Sequence, residues 1–542
     1  VFLDPQSKES LHLEALLARW NPLTEIGKRI QKEITPFLPG QEQEWQQILD
    51  EQELLQAHLP LHSTEATWIE EILERTPDPK RVLDKLLDKQ IPSLTEWYLL
   101  KQCCWQIREW SHAMDQAGLS PSLHLTSAER NLCESLLWKL NPTPPLRSTF
   151  SLDSGYDESL RECRKQLEYV KREVQSKMEL ESQRIDQQYG IKRNRFGEWV
   201  IERGTELEKQ LSQDDRINLI RTTIYDSIYQ LTPRQTQELN EQIQQLQCKI
   251  EWLEKEVLQR LADDFQPFIS MIQQWSHRLA HFDLQWARVK AAASWQGTKP
   301  IYSKHQMKVE QGIHPIVAER LKDRGSSFTP VDISFRSGST VIIGPNMGGK
   351  TVALKTVGMI VVLAQYGLFV PAQSCHMPLF PWVATLIGDQ QNVEQGLSSF
   401  GAEVYRLNQW INRDEPGLLL LDEIGRGTNP IEGAALAQAV THFLSSSSIW
   451  SIHVTHYREV IKVEGIQKYR VAGLCLESSF SIKMELAHIH SFLQERMDYR
   501  LLPLTSEKEI PEQALLIAGI LGLNTDIIAQ AKAVMSVNRE EA

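Results

Sequence analysis

Apolar residues recur along this chain with two different periods, and the change falls near residue 300. Before it, Leu, Ile, Val and Trp stand three and four positions apart among Gln, Glu and Arg, with few glycines, a spacing that predicts helices. After it, short β-branched runs alternate with glycine-rich turns and amphipathic stretches, the texture of an α/β sheet. Within residues 1–150, prolines at Pro60, Pro77, Pro79, Pro92, Pro142 and Pro145 mark joints between packed helices.

Two longer seams follow. Leu160, Cys163, Leu167, Val170, Val174 and Met178 keep helical spacing, and Leu239, Ile243, Leu246, Ile250, Leu253, Val257 and Leu261 keep it again. Near-heptad seams of this kind are expected of two helices paired as a coiled coil. Between them lie Gly190, Gly197 and Gly204, the β-like run Trp199-Val200-Ile201 and Pro233. The expected arrangement is an outgoing helix, a turned tip and a returning helix. The tip carries the basic cluster Lys192, Arg193 and Arg195, candidate contacts for nucleic-acid phosphate.

Composition adjusts this picture. With 58 Lys+Arg against 70 Asp+Glu, the net charge is −12. Phosphate contacts favour basic surfaces, so any nucleic-acid binding has to be local. The segment 151–260 is itself slightly acidic. Charged residues at 24% and hydrophobic ones at 41% suit a globular chain. The most apolar segment, Val357–Val370, is broken by Gln365, Tyr366 and Gly367, so no membrane span is expected, and the amino terminus carries acids and no apolar run, so no signal peptide is expected. Seven cysteines without a CxxC pair suggest reduced thiols and a cytoplasmic setting.

The strongest chemical signal is Gly344-Pro345-Asn346-Met347-Gly348-Gly349-Lys350-Thr351, preceded by the strand-like run Thr340–Ile343. It fits the phosphate-binding pattern G-x-x-x-x-G-K-[ST] between a strand and a helix expected over Thr351 to about Ala364. Glycines let backbone N–H groups curl round phosphate, Lys350 brings a cation to it, and the Thr351 hydroxyl suits a Mg²⁺ shell. Further on, Leu418–Leu421 reads as a strand buried on both faces, ending in Asp422 and Glu423 where ligands bind parallel sheets. Asp422 is the candidate metal partner and Glu423 the group that polarises water. A third strand, Ile449–Val454, ends in Thr455-His456-Tyr457, placing His456 where it can sense a terminal phosphate. His453, inside that strand, reads as packed. Two polar, glycine-rich segments, 388–401 and 425–433, read as loops able to reach a nucleotide on a second subunit.

With these residues in place, GPNMGGKT, LLLLDEIGRGT and THY resemble the motifs of the MutS family of ABC-type ATPases. IGDQQNVEQGLSSF and TVALKTVGMIVVLAQYGLFVPA look more like its second bacterial type. NPLTEIGKRI resembles the start of the family's helical core, SGYDESLRECRKQLE its outgoing lever, and IRTTIYDSIYQLTPRQTQELNEQI the return. ALLIAGILGLNTDIIAQAKAV is similar to the helix after the ATPase.

The resemblance implies an α/β ABC-type P-loop ATPase domain preceded by an all-α core with a long coiled-coil lever arm. The expected boundaries are a helical core over 1–154, the lever with its clamp-like tip over 155–265, a helical return over 266–300 and the ATPase over 301–542. The cofactors implied are ATP and Mg²⁺. Gly344 to Thr351 would hold phosphates, Thr351 and Asp422 the metal, and Glu423 and His456 would serve hydrolysis. Ser398 matches a serine offered in trans, which implies a homodimer or a MutS-like heterodimer with composite sites. Phe328 stands where the family stacks an aromatic on adenine. The expected function is a DNA-binding ATPase that clamps duplex or structured DNA in mismatch repair or recombination. The chain starts at the helical core, so the mismatch-reading and connector domains are expected to be missing, as is a trailing endonuclease domain. An ATP-dependent reactivating factor for a cobalamin-dependent aminomutase is the alternative, with a protein client in place of DNA.

Overall fold

A computed structural model describes residues 2–119, 123–153, 155–232, 236–345, 348–387, 399–474, 496–506, 509 and 513–540. The chain divides into two units: residues 1–74, 116–119 and 280–542 form one, and residues 75–115 and 120–279 the other.

The second unit contains the two long seams. Helices Glu158–Tyr189 and Gln237–Phe265 pack antiparallel, and Leu160 and Cys163 of the first meet Ile250 and Leu253 of the second, with Leu167 against them. At their far end, the tip is a small fold of its own. Strands β1 (Trp199–Glu202), β2 (Ile217–Thr222) and β3 (Asp226–Leu231) form an antiparallel sheet in the order β1-β3-β2. Trp199, Ile201, Leu211, Ile217, Tyr229 and Ile185 make its core. The Trp199 indole donates to Asp186 Oδ1 at 2.7 Å, satisfying a polar atom that burial would otherwise orphan. The sequence showed only the first of these strands. Residues 220–231, the first half of the segment that resembles the lever's return, lie in a hairpin and not a helix, because Ile217 and Tyr229 close over Trp199. The described returning helix starts at Gln237.

The first unit holds strands β4 (Ile301–Tyr302), β5 (Met307–Gly312), β6 (Val331–Phe335), β7 (Gly338–Ile343), β8 (Ser374–Met377), β9 (Val383–Leu386), β10 (Leu418–Asp422), β11 (Trp450–Thr455), β12 (Gln467–Leu474) and β13 (Met497–Pro503). Four of them make a mixed sheet in the order β4-β8-β5-β6. The other six make a sheet in the order β13-β12-β7-β11-β10-β9, parallel from β9 to β12 and closed by antiparallel β13. Alternate residues of its central strands serve two cores. Ile342, Leu418, Leu420, Ile452 and Val454 face the cluster built on helix Lys350–Gln365, which the amino-terminal residues Leu3, Leu11, Trp20 and Trp45 also join. Leu419 and Leu421 belong to a second cluster with Val440 and Leu444 of helix Pro430–Ser445, while Val341 and Ile343 pack with Ala437 of the same helix. Burial on both faces explains why these strands read as continuous apolar runs. No described helix is long and apolar enough to cross a membrane.

Helix Lys350–Gln365 approaches the sheet closely at Gly358, where a Cβ would stand 2.5 Å from Leu420 Cδ1 and 2.8 Å from Leu11 Cδ2. Overpacking a core costs about 1–3 kcal/mol. Gly358→Ala is expected to lower unfolding stability by that amount in a denaturant titration; an unchanged midpoint would contradict the close approach.

Candidate functional site

β11 lies between β7 and β10, and the parallel registers pair Thr455 with Ile343 and Val454 with Asp422. Three strands therefore end at nearly one level. The glycine turn leaves β7, the acidic pair closes β10, and His456 follows β11.

On the first strand, Gly348 N donates to Pro345 O at 3.1 Å, and Gly349 caps the helix in the left-handed region at φ 75°. Gly344 and Gly349 crowd neighbours that leave little room for a side chain. A Cβ on Gly344 would meet Val471 at 3.0 Å, and one on Gly349 would meet the Tyr499 ring at 3.0 Å. Lys350 is the first residue of the helix and is buried, its Nζ donating to Gly344 O and Pro345 O at 3.0 Å each. The same Nζ stands 3.7 Å from Glu423 Oε1. Burial pulls the ammonium below its ordinary pKa, and the carboxylates of Glu423 and Asp422 work against that shift.

On β10, Asp422 Oδ2 accepts from the Thr351 hydroxyl at 2.8 Å. Asp422 Oδ1 is buried and has no hydrogen-bond partner among the described residues. Burial raises the Asp422 pKa, the Thr351 hydrogen bond lowers it, and neighbouring Glu423 raises it again. Glu423 departs from the strand at φ 51°, a left-handed conformation costing a non-glycine residue about 1 kcal/mol or more. It is held there by its N–H, which donates to Val454 O at 2.8 Å. Its carboxylate is gripped from several sides: His456 Nδ1 and Arg426 Nη1 stand at 3.5 Å each, besides Lys350. The His456 contact, ahead of the opposing effect of burial, holds the Glu423 pKa below the ordinary range. The sequence-predicted Gly344, Pro345, Gly348, Gly349, Lys350, Thr351, Asp422, Glu423 and His456 are thus brought together. The strand and the helix flanking the turn extend slightly beyond the sequence reading, to Gly338–Ile343 and Lys350–Gln365.

Other candidates stand elsewhere. Phe328 is half-buried in the loop leading to β6, on the approach to the four-stranded sheet and not on the sheet that carries the turn. Asn346, Met347 and Ser398 lie outside the described residues. At the tip, Arg193 is not a spare cation. Its guanidinium donates to both Glu179 oxygens at 3.0 Å and to Asp186 Oδ2 at 3.2 Å, because the turn after Tyr189 folds it back on its own helix. Lys192 and Arg195 are exposed, with Arg195 over the Phe196 ring at 4.8 Å. His453, as expected, is a packed residue that meets the Thr441 hydroxyl at 2.7 Å.

The structure adds supports the sequence did not reveal. Gly425 N donates to Glu403 Oε1 at 2.9 Å, fixing the loop after the acidic pair to helix Ser399–Ile411. Tyr457 OH donates to Gly425 O at 3.4 Å. Gly425 and Gly433 press backbone on backbone, and the paired glycines of GRGTNPIEG were the only local signal for this contact.

A parallel sheet with a glycine turn, a strand-end acidic pair and a third strand bearing His456 defines the class, and comparison with known proteins agrees. The family model for MutS domain V matches residues 340–536. The chain is 30% identical over 308 residues to the Endonuclease MutS2 of Leuconostoc mesenteroides, covering 56% of this chain and 36% of that protein. It is 33% identical over 256 residues to the Endonuclease MutS2 of Geobacillus thermodenitrificans, covering 46% and 31%. Against the DNA mismatch repair protein MutS of Salinibacter ruber it is 30% identical over 332 residues, covering 58% and 36%. The match to MutS domain V lies in the carboxy-terminal part of the chain, and the matches to these proteins span about a third of the length of these curated relatives.

A Cβ on Gly433 would stand 2.4 Å from Gly425 O and 2.7 Å from Tyr457 OH. Gly433→Ala is expected to push Gly425 off Glu403 and to lower unfolding stability by about 1–3 kcal/mol. A variant that melts with the parent would show that the loop is free to give way.

Proposed function

We propose that this chain is an ATP-hydrolysing, DNA-binding protein of MutS type, a cytoplasmic one. The observation that carries the reading is the pairing of the Thr351 hydroxyl with Asp422, whose second oxygen is buried and unpartnered among the described residues. Two hard oxygen donors at the mouth of a glycine turn suit a Mg²⁺ ion shared with phosphates. Held by Thr351 and Asp422, Mg²⁺ would supply positive charge to offset the negative charge developing on the phosphates.

The chain's own residues supply the rest. Backbone N–H groups of the turn 344–351, including Asn346 and Met347, cradle the phosphates as a P-loop, aided by the positive end of helix Lys350–Gln365. Lys350 turns its ammonium from the carbonyls of Gly344 and Pro345 to the terminal phosphates. Glu423, aimed by its left-handed backbone and by His456, orients the attacking water and takes its proton. Phe328 flanks the base. Ser398 reaches the nucleotide of a second subunit, making a dimer the working form, either of two copies or with a MutS-like partner. The antiparallel helices of the second unit act as a coiled-coil lever that holds DNA by shape and backbone. At its tip, Lys192 and Arg195 serve the phosphates, while Arg193 serves the tip's own fold.

Lys350→Ala is expected to lose nucleotide binding and turnover together. Glu423→Gln is expected to keep nucleotide binding while turnover falls by about 10²–10⁴-fold, the usual worth of a general base. Undiminished hydrolysis in both variants would remove the assignment. For the arm, exchanging Lys192 and Arg195 for Ala is expected to weaken duplex binding evenly across sequences. It should also lower the slope of log K against log salt by about one per phosphate contact. A chain with no affinity for duplex, mismatched or branched DNA at low salt would overturn the DNA reading.

A further inference from the structure

Glu423 ends β10 and leads the chain into a loop that is seated on helix Ser399–Ile411. Ile424 is buried in the cluster that Leu407 and Trp410 of this helix share with Leu419 and Leu421. Gly425 follows at φ 82°, and its N–H donates to Glu403 Oε1 at 2.9 Å. On its other side, Gly425 O accepts from Tyr457 OH at 3.4 Å. The Tyr457 ring lies against that of His456, with centroids 4.2 Å apart, and His456 Nδ1 stands 3.5 Å from Glu423 Oε1. Glu423, Gly425, Tyr457 and His456 thus form a closed ring of contacts at the ends of β10 and β11. Glu403 bears on that ring from a helix outside the sheet.

The helix is itself anchored. Three residues beyond Glu403, and so on the same face, Arg406 is buried. Its Nη2 donates to Thr385 O of β9 at 2.9 Å and to Asp4 Oδ2 at 3.2 Å. β9 runs beside β10, with Thr385 opposite Leu420, two residues before Asp422. One helix therefore grips the edge of the sheet with Arg406 and the loop with Glu403.

The loop needs such a hold. Glu423 at φ 51° and Gly425 at φ 82° are both left-handed, with a single buried residue between them. A non-glycine residue keeps that conformation only where its surroundings over-determine it. Val454 O fixes Glu423 from the β11 side, accepting its N–H at 2.8 Å, and Glu403 fixes the loop from the other. Burial raises the Glu403 pKa and the Gly425 N–H opposes that shift, so this contact is what makes a carboxylate tolerable there. A group that activates water has to stand within hydrogen-bond reach of it, and a displacement of about 1 Å costs on the order of 10²-fold.

Resting on the reading of Glu423 as the group that activates water, we propose that Glu403 is a positioning residue for hydrolysis. By accepting the Gly425 N–H it holds the loop after the acidic pair and keeps Glu423 aimed. It acts through the Gly425 backbone and not on the nucleotide. What it supplies is an acceptor oxygen at a set reach, and not a charge.

The test is ATP turnover by the full chain, with nucleotide affinity measured separately by titration of a fluorescent ATP analogue. Glu403→Ala is expected to lower kcat about tenfold or more and to leave nucleotide affinity within about twofold of the parent. Glu403→Asp keeps the charge but withdraws the oxygen by one methylene, and is expected to lose as much. Glu403→Gln keeps an acceptor oxygen at full reach and is expected to restore most of the turnover. In a Glu423→Gln background, Glu403→Ala is expected to cost nothing further, because the two residues act as one unit. A merely structural role would lower turnover there as well. Undiminished kcat in Glu403→Ala or in Glu403→Asp, a Glu403→Gln variant as slow as Glu403→Ala, or a full further loss in the Glu423→Gln background would each overturn the proposal. A parent chain that turns over no ATP would bring down the ATPase reading and this role with it. A parent that does, beside an undiminished Glu403→Ala, would bring down the role of Glu403 alone.

Discussion

Parallel pairing of β11 with β7 on one side and β10 on the other is the constraint on which the rest of the site depends. Hydrogen bonds in register bring Ile343, Asp422 and Thr455 to one level across three strands. Each strand then releases a different chemical group at the same edge of the sheet. The glycine turn, the carboxylates and the imidazole meet without any of them being close in sequence. Parallel sheets generally place ligands at this edge, because every crossover leaves the strands' carboxyl ends pointing the same way.

Such a sheet has to be covered on both faces, and the covering is specific. Helix Lys350–Gln365 comes near enough for Gly358 to touch Leu420, while helix Pro430–Ser445 seals the other face through Ala437 and Val440. The first helix therefore has two tasks. Its buried side fixes the acidic strand, and its amino terminus presents Lys350 and Thr351 to the carboxylates of that same strand. Buried charge is tolerated because it is mutual: Lys350 faces Asp422 and Glu423, and Glu423 faces His456 and Arg426.

Much of this was legible in the residues. The P-loop pattern, the apolar run before Asp422 and the Thr-His-Tyr triplet each encode a strand end by local spacing, and each stands where the sequence placed it. The long helices of the second unit were equally plain, since a seam of three and four is a local property. The tip was not. Strands β2 and β3 owe their form to Trp199, Tyr229 and Ile185 closing over one another, and no short window contains that set. Arg193 illustrates the same limit, since its partners Glu179 and Asp186 lie on the helix before the turn, and a run of three cations gave no sign of them.

By itself, then, the sequence determined the periods of the elements, the chemistry available at their ends and the motifs that resemble those of known proteins. Tertiary structure alone decided which ends meet. Strand order places β11 at the centre, the fold of the first 74 residues brings Leu11 and His12 against helices roughly 300 residues away, and Gly425 meets Gly433 only when the loop closes. The reason is physical. Backbone propensity and hydrophobic period act over a few residues, whereas the pairing of charges, orphaned nitrogens and backbones depends on distances that only packing fixes.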